Sequence, residues 1–483
     1  MLHKVINMLT KFKNILKNNK FNVIFKYSFI KYIALVIGFL KEIVNARVLG
    51  PELLGVLGNL LLILNYLSYA NLGILYSMNR EYILYKDKDE RKARQVIYTS
   101  FTSLFILSIF FILCGFLSKL FIFKDATGEY LIYIFLIAIF QQFKMFFINY
   151  FRLVDNFTKI NIIELINNAG TFLLIMLFIK NYKINAVLYS MIICGFITLI
   201  YGIINCEKLK ININYNILKD LIYVGIPLLI YNLGFYILTT VDRIMILKYL
   251  KYEELGYYTF SNQIVSATLV FITSILFLYY PKAIKILNIN ENFNVKKVYN
   301  SIEKYTKYVE LLGVLLCIVG VIFIKPFVNI VVPNYEASIN IYRVLVLGAI
   351  ASQVSYFANV FIVSNKKQMY LIFLQFLTII LSIILNYIFL KLGFKVMGVS
   401  IATMITNIIY SAMQYLIFLK ILNQRKDYFN IMLKTYYKFI LFVIILLIIS
   451  TLKINYYIYI MILLASVFML YKKDINDVVK KYI

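Results

Sequence analysis

Residues 130–151 read YLIYIFLIAIFQQFKMFFINYF, an almost unbroken apolar stretch. A helix needs about 20 predominantly apolar residues to cross a bilayer, so this stretch predicts a transmembrane helix. It also contains Gln141 and Lys144. A charged side chain near the middle of a span costs about 2.5–3.5 kcal/mol on insertion scales, and it persists where it faces a cavity or a partner. The stretch therefore predicts a membrane protein with a polar cavity between its helices.

Similar apolar stretches fill the rest of the chain. Of its 483 residues, 62% are hydrophobic and 15% are charged, whereas soluble domains have roughly 45–50% apolar and about 25% charged residues. The fold class predicted is an all-α integral membrane protein with about 14 transmembrane helices. The predicted spans are residues 24–45, 54–78, 96–117, 130–151, 160–179, 185–205, 219–240, 257–280, 306–324, 342–363, 370–390, 396–419, 437–452 and 455–471.

A short motif recurs six spans apart. Residues 52–55 read ELLG after the first span, and residues 253–256 read EELG after the seventh. This weak repeat predicts two pseudo-symmetric six-helix lobes around a central cavity, an arrangement that places a substrate path near the membrane midplane. The predicted organisation is a basic amphipathic segment (1–22, alternatively a frayed tail), an N-lobe with TM1–6 (23–210), a C-lobe with TM7–12 (211–425), and two extra transmembrane helices with a basic cytoplasmic tail (426–483).

The net charge of +28 comes from lysines and arginines that lie in short clusters between the apolar stretches. Because these residues resist translocation, they orient a multispanning protein. With the N-terminus in the cytoplasm, the clusters within residues 80–94 and 282–307 are cytoplasmic, and an even number of spans returns the C-terminus to that side. We therefore predict a multi-pass protein with both termini cytoplasmic. Anionic membrane lipids are expected partners, and nucleic acid is not.

Motifs for bond-making chemistry are missing from the sequence. It has no G-x-x-x-x-G-K-[ST] P-loop, its single histidine is His3, and its four cysteines form no C-x-x-C pair. No metal and no cofactor are expected. Residues 87–89 read DKD, the D-x-D pattern with which glycosyltransferases hold a metal and a sugar phosphate. In a cytoplasmic stretch of alternating charges this pattern favours a solvated helix face. The sequence therefore predicts a transporter and not an enzyme.

Polar side chains inside the spans are the candidates for substrate binding. Lys31 and Glu42 lie eleven residues apart, which returns them to one face of the first helix. Lysine and arginine bind phosphate oxygens without forming covalent bonds to them. Polar and basic side chains that share one face of a span therefore predict a cationic, water-filled cavity that fits a lipid diphosphate headgroup. The substrate-binding candidates are Lys31, Lys41, Gln141, Lys144 and Arg152. The candidates for binding a coupling H⁺ or Na⁺ are Glu42, Glu164 and Asp242.

Other interpretations of these residues stay open. Lys31, Lys41 and Arg152 could instead extend to a membrane interface, and Lys41 could pair locally with Glu42. Each acidic candidate is equally compatible with structural hydrogen bonds between helices. Lys144 is the hardest to explain in this way because it lies closest to the centre of a span.

Three short motifs carry a resemblance to a known superfamily. Residues 46–55 read ARVLGPELLG, residues 241–243 read VDR ahead of ELGYY at 254–258, and residues 398–403 read GVSIAT. In order and spacing they resemble the polysaccharide-exporter branch of the MATE-like multidrug/oligosaccharidyl-lipid/polysaccharide (MOP) transporter superfamily, which includes O-antigen flippases. The sequence departs from the usual pattern at Leu54 and Val56. The residues that the motifs identify as structural are Arg47, Gly50, Pro51, Gly55, Arg243 and Gly256.

The resemblance implies alternating access between two six-helix lobes in a bacterial cytoplasmic (inner) membrane. The implied substrate is an undecaprenyl-diphosphate-linked oligosaccharide, a repeat unit of O-antigen lipopolysaccharide, capsule or a related surface polysaccharide, moved from the cytoplasmic to the outer leaflet. A polysaccharide polymerase and a chain-length regulator are expected partners. The alternatives are a membrane polysaccharide polymerase or ligase, or a lipid II flippase or cation-coupled drug antiporter of the same superfamily.

Overall fold

The structure is a computed structural model that describes residues 19–121, 127–206, 209–287, 295–422, 427–451 and 456–482. Over these residues the chain is all-α, with short 3-10 and π-helical turns and no β-strand. The predicted fold class is confirmed. Most of the predicted amphipathic segment 1–22 lies outside the described residues.

The chain divides into two compact units, Met1–Leu233 and Gly234–Ile483. The lobe boundaries predicted near residues 210 and 425 stay predictions. In its described part the first unit contains α1 (Asn19–Ser68), α2 (Ile74–Lys86), α3 (Glu90–Phe121), α4 (Leu131–Leu153), α5 (Phe157–Leu165), α6 (Thr171–Tyr182), α7 (Ile184–Asn205) and most of α8 (Tyr215–Leu238). A π-helical turn, Ile166–Gly170, joins α5 to α6.

The second unit begins in the last turn and a half of α8. Its other described helices are α9 (Val241–Tyr249), α10 (Tyr252–Leu287), α11 (Val295–Val331), α12 (Ser338–Val354), α13 (Tyr356–Ser364), α14 (Gln368–Lys391), α15 (Lys395–Leu422), α16 (Tyr428–Thr451) and α17 (Tyr456–Tyr482).

Eleven stretches of the described residues are long and apolar enough to cross a membrane. One of them, Ile30–Ser68, contains parts of the first two predicted spans. Two further helices, α10 and α17, coincide with the predicted spans 257–280 and 455–471. The structure is thus consistent with about fourteen spans, and the chain is a multi-pass membrane protein.

The first helix, α1, is broken at Gly50. Gly50 has φ 72° and ψ 173°, a backbone conformation that is essentially restricted to glycine. Pro51 follows at once and starts the second half of α1, where its missing N–H group costs no helical hydrogen bond. Glu52 places a negative charge at the positive end of that segment. The ARVLGPELLG motif is therefore one helix end joined directly to the next helix start.

The second half of α1 ends earlier than the sequence predicted. The predicted span 54–78 runs past Ser68, where α1 ends. Gln142 of α4 donates from Nε2 to the Ser68 carbonyl oxygen at 2.8 Å, and its Oε1 accepts from Asn71 Nδ2 at 3.0 Å. Helix ends leave carbonyls without intrahelical partners, and Gln142 supplies one here. Asn71 Nδ2, three residues along the chain, donates to the same Ser68 carbonyl oxygen at 3.1 Å, and hydropathy shows neither of these caps.

Candidate functional site

A cavity of about 230 Å³ lies among the helices of the first unit. Its walls come from both halves of α1, from α4, from the π-helical turn and α6, and from α7. Three of the predicted substrate-binding residues line it together. Its polar lining includes Lys41, Asn65, Gln141, Lys144, Asn167 and Asn168.

Lys144 enters this cavity from α4. Residues 137, 140, 141 and 144 all line it, and this spacing places them on one face of a helix. Glu164 and Lys41 are the charged groups that act electrostatically on the Lys144 ammonium. Within the described residues, no hydrogen bond reaches that ammonium. Because a lysine carries three donors, Lys144 can still donate to a ligand.

Lys41 enters the cavity from the first half of α1. Its Nζ lies 3.7 Å from Oε1 of Glu42, and the two side chains are 23% and 24% exposed. The local pair that the sequence left open is therefore present. It does not remove Lys41 from the cavity, because Lys41 lines the cavity while it is paired.

The π-helical turn presents two neighbouring amides to the same cavity. Asn167 and Asn168 both line it, although consecutive residues of an α-helix point about 100° apart. Asn167 Nδ2 donates to Thr198 Oγ1 at 2.8 Å, and Asn168 Nδ2 donates to Glu164 Oε2 at 3.2 Å. Such π turns occur frequently at functional sites. Sequence analysis missed Asn167, and the available signal was a second amide inside an apolar span.

The charges around the cavity are nearly balanced. Lys41 lies beside Glu42, and Glu164 acts on Lys144. Carboxylates near an ammonium lower the cost of holding it inside a membrane. A bound anion would therefore have to compete with these carboxylates for the two lysines.

Two of the predicted substrate-binding residues lie elsewhere. Lys31 is exposed on the first half of α1. Arg152 is exposed near the end of α4, where Nη2 donates to Asn149 Oδ1 at 2.8 Å. Neither lines the cavity, and their roles stay predictions.

In the second unit, the late motifs meet around Asp242. Asp242 is 4% exposed at the start of α9. Its Oδ1 accepts the Arg243 N–H at 2.7 Å, and its Oδ2 accepts the hydroxyls of Tyr258 and, at 3.4 Å, Thr403. Tyr258 belongs to ELGYY and Thr403 to GVSIAT, so one carboxylate joins α9, α10 and α15. This geometry favours the structural interpretation of Asp242, and ion coupling there stays a prediction.

Asp242→Ala is expected to destabilise the protein by about 2–4 kcal/mol, because it leaves buried donors of Tyr258 and Arg243 without an acceptor. The midpoint of thermal unfolding in detergent checks this. Asp220→Ala, at an exposed position of α8, is the matched control and is expected to change little. Equal midpoints for the two variants would contradict the joining role of Asp242.

The sequence also matches a known family. Residues 44–278 match the sequence model of a family described as polysaccharide biosynthesis protein. A comparison with curated protein sequences found no match.

Solved structures of membrane transporters are similar to the chain. The lipid II flippase MurJ in an inward closed conformation is 15% identical with a TM-score of 0.67, covering 94% of this chain and 100% of that chain. An inward-facing multidrug resistance MATE family transporter of the MOP superfamily is 15% identical with a TM-score of 0.66, covering 80% and 94%. An outward-facing transporter of the same kind is 14% identical with a TM-score of 0.59, covering 85% and 97%.

At such low identity the structural similarity defines the fold, which is that of MOP superfamily transporters. Together with the family match over residues 44–278, it confirms the predicted resemblance. The chain therefore has the fold of MOP superfamily transporters, and its residues 44–278 match a polysaccharide biosynthesis family.

Proposed function

We propose that the protein is a flippase that moves an undecaprenyl-diphosphate-linked oligosaccharide from the cytoplasmic to the outer leaflet of a bacterial inner membrane. The observation that carries this proposal is the cavity that Lys41 and Lys144 share with the amides of Gln141, Asn167 and Asn168. Ammonium and amide N–H groups donate to phosphate oxygens without reacting with them. The match to a polysaccharide biosynthesis family supports a glycan-bearing lipid as the cargo.

The near balance of charge suggests how binding could be coupled to an ion gradient. Glu42 and Glu164 compete with a diphosphate for the two lysines. A proton on either carboxylate would free the neighbouring ammonium for the phosphate, and loss of that proton would favour release. We therefore propose that cargo binding and proton binding strengthen each other, as linkage requires, and that alternating access then exposes the cargo to the other leaflet.

The experiment that tests the function is transport in proteoliposomes. Intact protein is reconstituted with defined lipid-linked oligosaccharides, and their appearance in the opposite leaflet is followed with and without an imposed pH or sodium gradient. Transport faster than in protein-free liposomes supports the proposal. The same rate with and without protein would contradict it.

The second candidate function is that of a lipid II flippase, which the similarity to MurJ favours. The same assay tests it when lipid II is supplied as the cargo. Both cargoes carry a polyprenyl diphosphate, so the cavity would treat that part alike. Transport of lipid II alone would replace the proposed cargo. Joining of glycans in the reconstituted membranes would instead favour the polymerase or ligase.

Glu164→Gln is expected to reduce the stimulation of transport by a proton gradient, with Glu42 still able to take up a proton, while the protein still binds cargo, because glutamine resembles the protonated acid. The measurement is the ratio of transport rates with and without the gradient. Glu129→Gln, at an exposed position of the same unit, is the control and should keep the wild-type ratio. Undiminished stimulation in Glu164→Gln would exclude Glu164 as the coupling residue.

A further inference from the structure

A second, larger cavity lies at the other end of α4, in the same unit. It has a volume of about 790 Å³, within the roughly 300–1,000 Å³ typical of ligand pockets. We name it the vestibule and define it by its polar and aromatic lining residues, which are Tyr82, Lys86, Asp87, Glu90, Arg94, Tyr98, Tyr150 and Lys210. The charge pattern of the sequence assigns this end of the unit to the cytoplasm.

Three secondary-structure elements present a continuous wall to the vestibule. On α3, residues 90, 93, 94, 97 and 98 line it, the spacing of one helix face. Tyr82 and Lys86 come from one face of α2, and Tyr150 comes from α4. Tyr150 lies six residues from Lys144, about 9 Å along the helix axis. One helix therefore contributes to both cavities.

The D-x-D pattern of residues 87–89 contributes to this wall. It forms a turn between α2 and α3, and not the solvated helix face that the sequence predicted. Asp89 Oδ1 accepts the Lys92 N–H at 3.1 Å and so caps α3. Asp87 lines the vestibule. Because only one of the two aspartates lines the cavity, this geometry fits acceptance of a ligand's hydrogen bonds rather than a metal pair.

Two of the three cations of the vestibule, Arg94 and Lys86, already have partners. Arg94 Nη2 lies 2.6 Å from Glu90 Oε1. Lys86 Nζ lies 3.4 Å from the Leu153 carbonyl oxygen, and it also lies over the Tyr82 ring. An incoming phosphate would compete with these partners and would meet the carboxylates of Asp87 and Glu90. The site is therefore poorly suited to a free anion.

The mixture of groups fits a sugar. Carboxylates accept hydrogen bonds from hydroxyl groups, and ammonium and guanidinium groups donate to hydroxyl oxygens. Tyrosine rings offer an apolar face with a polar tip, which suits the C–H faces and hydroxyl edges of a pyranose ring. We propose that the vestibule binds the oligosaccharide part of the cargo while the deeper cavity holds its diphosphate. This inference rests on the proposed function.

Binding here would also contact the connection between α7 and α8. Lys210 lies in the non-helical segment 209–214, which is hydrogen-bonded to α3. Thr102 Oγ1 accepts the Asn212 N–H at 3.0 Å and donates to the Asn212 carbonyl oxygen at 3.1 Å. Asn214 donates its N–H to Thr99 Oγ1 at 3.2 Å. The segment thus forms a fixed edge of the vestibule.

A tryptophan reporter tests the inference directly, since the chain contains no tryptophan. Tyr98→Trp places one in the vestibule wall of the otherwise intact protein, and Tyr82→Trp is a second reporter in case the first does not fold. The probe is the water-soluble oligosaccharide released by mild acid from the lipid-linked pool of the source cells. We expect a saturable change in fluorescence with this probe and none with inorganic phosphate or phosphatidylglycerol micelles.

Two further variants sharpen the result. Asp87→Asn, added to the reporter, is expected to raise the half-saturating concentration about tenfold, because a charged acceptor is lost. Tyr457→Trp, at a 74% exposed position of α17, is the control and should not respond. No saturable change in either folded reporter, or a response to phosphate or phosphatidylglycerol in place of the sugar, would overturn the inference. If the wild-type protein transports cargo but the reporters do not respond, the proposed sugar site in the vestibule is refuted and the flippase function stands. If a reporter responds but no transport occurs, the flippase function is refuted.

Discussion

Replacing Lys144 with alanine is expected to reduce surface glycan strongly while leaving the protein in the membrane. Lys144 lines the cavity of the first unit, and within the described residues its ammonium has no hydrogen-bond partner. Removing this side chain therefore takes away a hydrogen-bond donor to the phosphate and leaves no buried hydrogen-bond donor without an acceptor. Loss of one charge-assisted hydrogen bond corresponds to about a 10- to 100-fold decrease in the translocation rate. The measurements are surface glycan on cells and transport in proteoliposomes.

Two variants separate the site from general effects of charge. Lys144→Arg keeps a cation in the cavity and is expected to keep measurable transport. Lys180→Ala removes an exposed lysine at the end of α6 and should behave as wild type. Normal glycan export by Lys144→Ala, with equal amounts of protein in the membrane, would refute the assignment of the phosphate site.

Gly73→Ala is expected to have the largest effect on stability, lowering the free energy of unfolding by about 2–5 kcal/mol. Gly73 has φ +76°, and an added Cβ would overlap the backbone carbonyl of Gly225 in α8. A left-handed conformation costs a non-glycine residue about 1–2 kcal/mol, and overpacking adds about 1–3 kcal/mol. The turn between α1 and α2 would have to move away from α8.

Two other glycines divide this effect into its parts. Gly393 has φ +81° with no atom within 4 Å of an added Cβ. Gly393→Ala should therefore show only the loss of stability that comes from the left-handed backbone conformation. Gly225→Ala places a Cβ 2.6 Å from the Gly73 carbonyl oxygen and should show only the loss of stability that comes from this steric overlap. Thermal unfolding midpoints in detergent test the series. A midpoint for Gly73→Ala no lower than that for Gly393→Ala would contradict the close contact with Gly225.

The membrane architecture could be predicted from the sequence because long apolar stretches have few alternatives to spanning a bilayer. The ends of the helices were harder to predict. A single glycine with positive φ separates the two halves of α1, where the prediction left a longer connection. The end at Ser68 depends on the nearby Asn71 and also on Gln142 of another helix, and a local pattern does not contain the second of these.

The cavity could be predicted where a charged side chain inside a membrane span has a large free-energy cost. Lys144 lies near the centre of its span, where a charge requires a polar neighbour, and the structure places it at a cavity. Lys31 and Arg152 lie nearer the ends of their predicted spans, where a long side chain can extend to the interface, and the structure leaves both exposed. The π-helical turn that brings Asn167 to the cavity depends on packing between helices, and no periodic pattern in the sequence predicts it.

Cryo-electron microscopy of the intact protein with a bound polyprenyl-diphosphate-linked oligosaccharide is the most direct test of the phosphate site. We predict density for the diphosphate within hydrogen-bonding distance of the ammonium groups of Lys41 and Lys144. Diphosphate density at another place, with Lys144 directed into the acyl chains and no hydrated opening beside it, would contradict the proposed site even though the fold would stand.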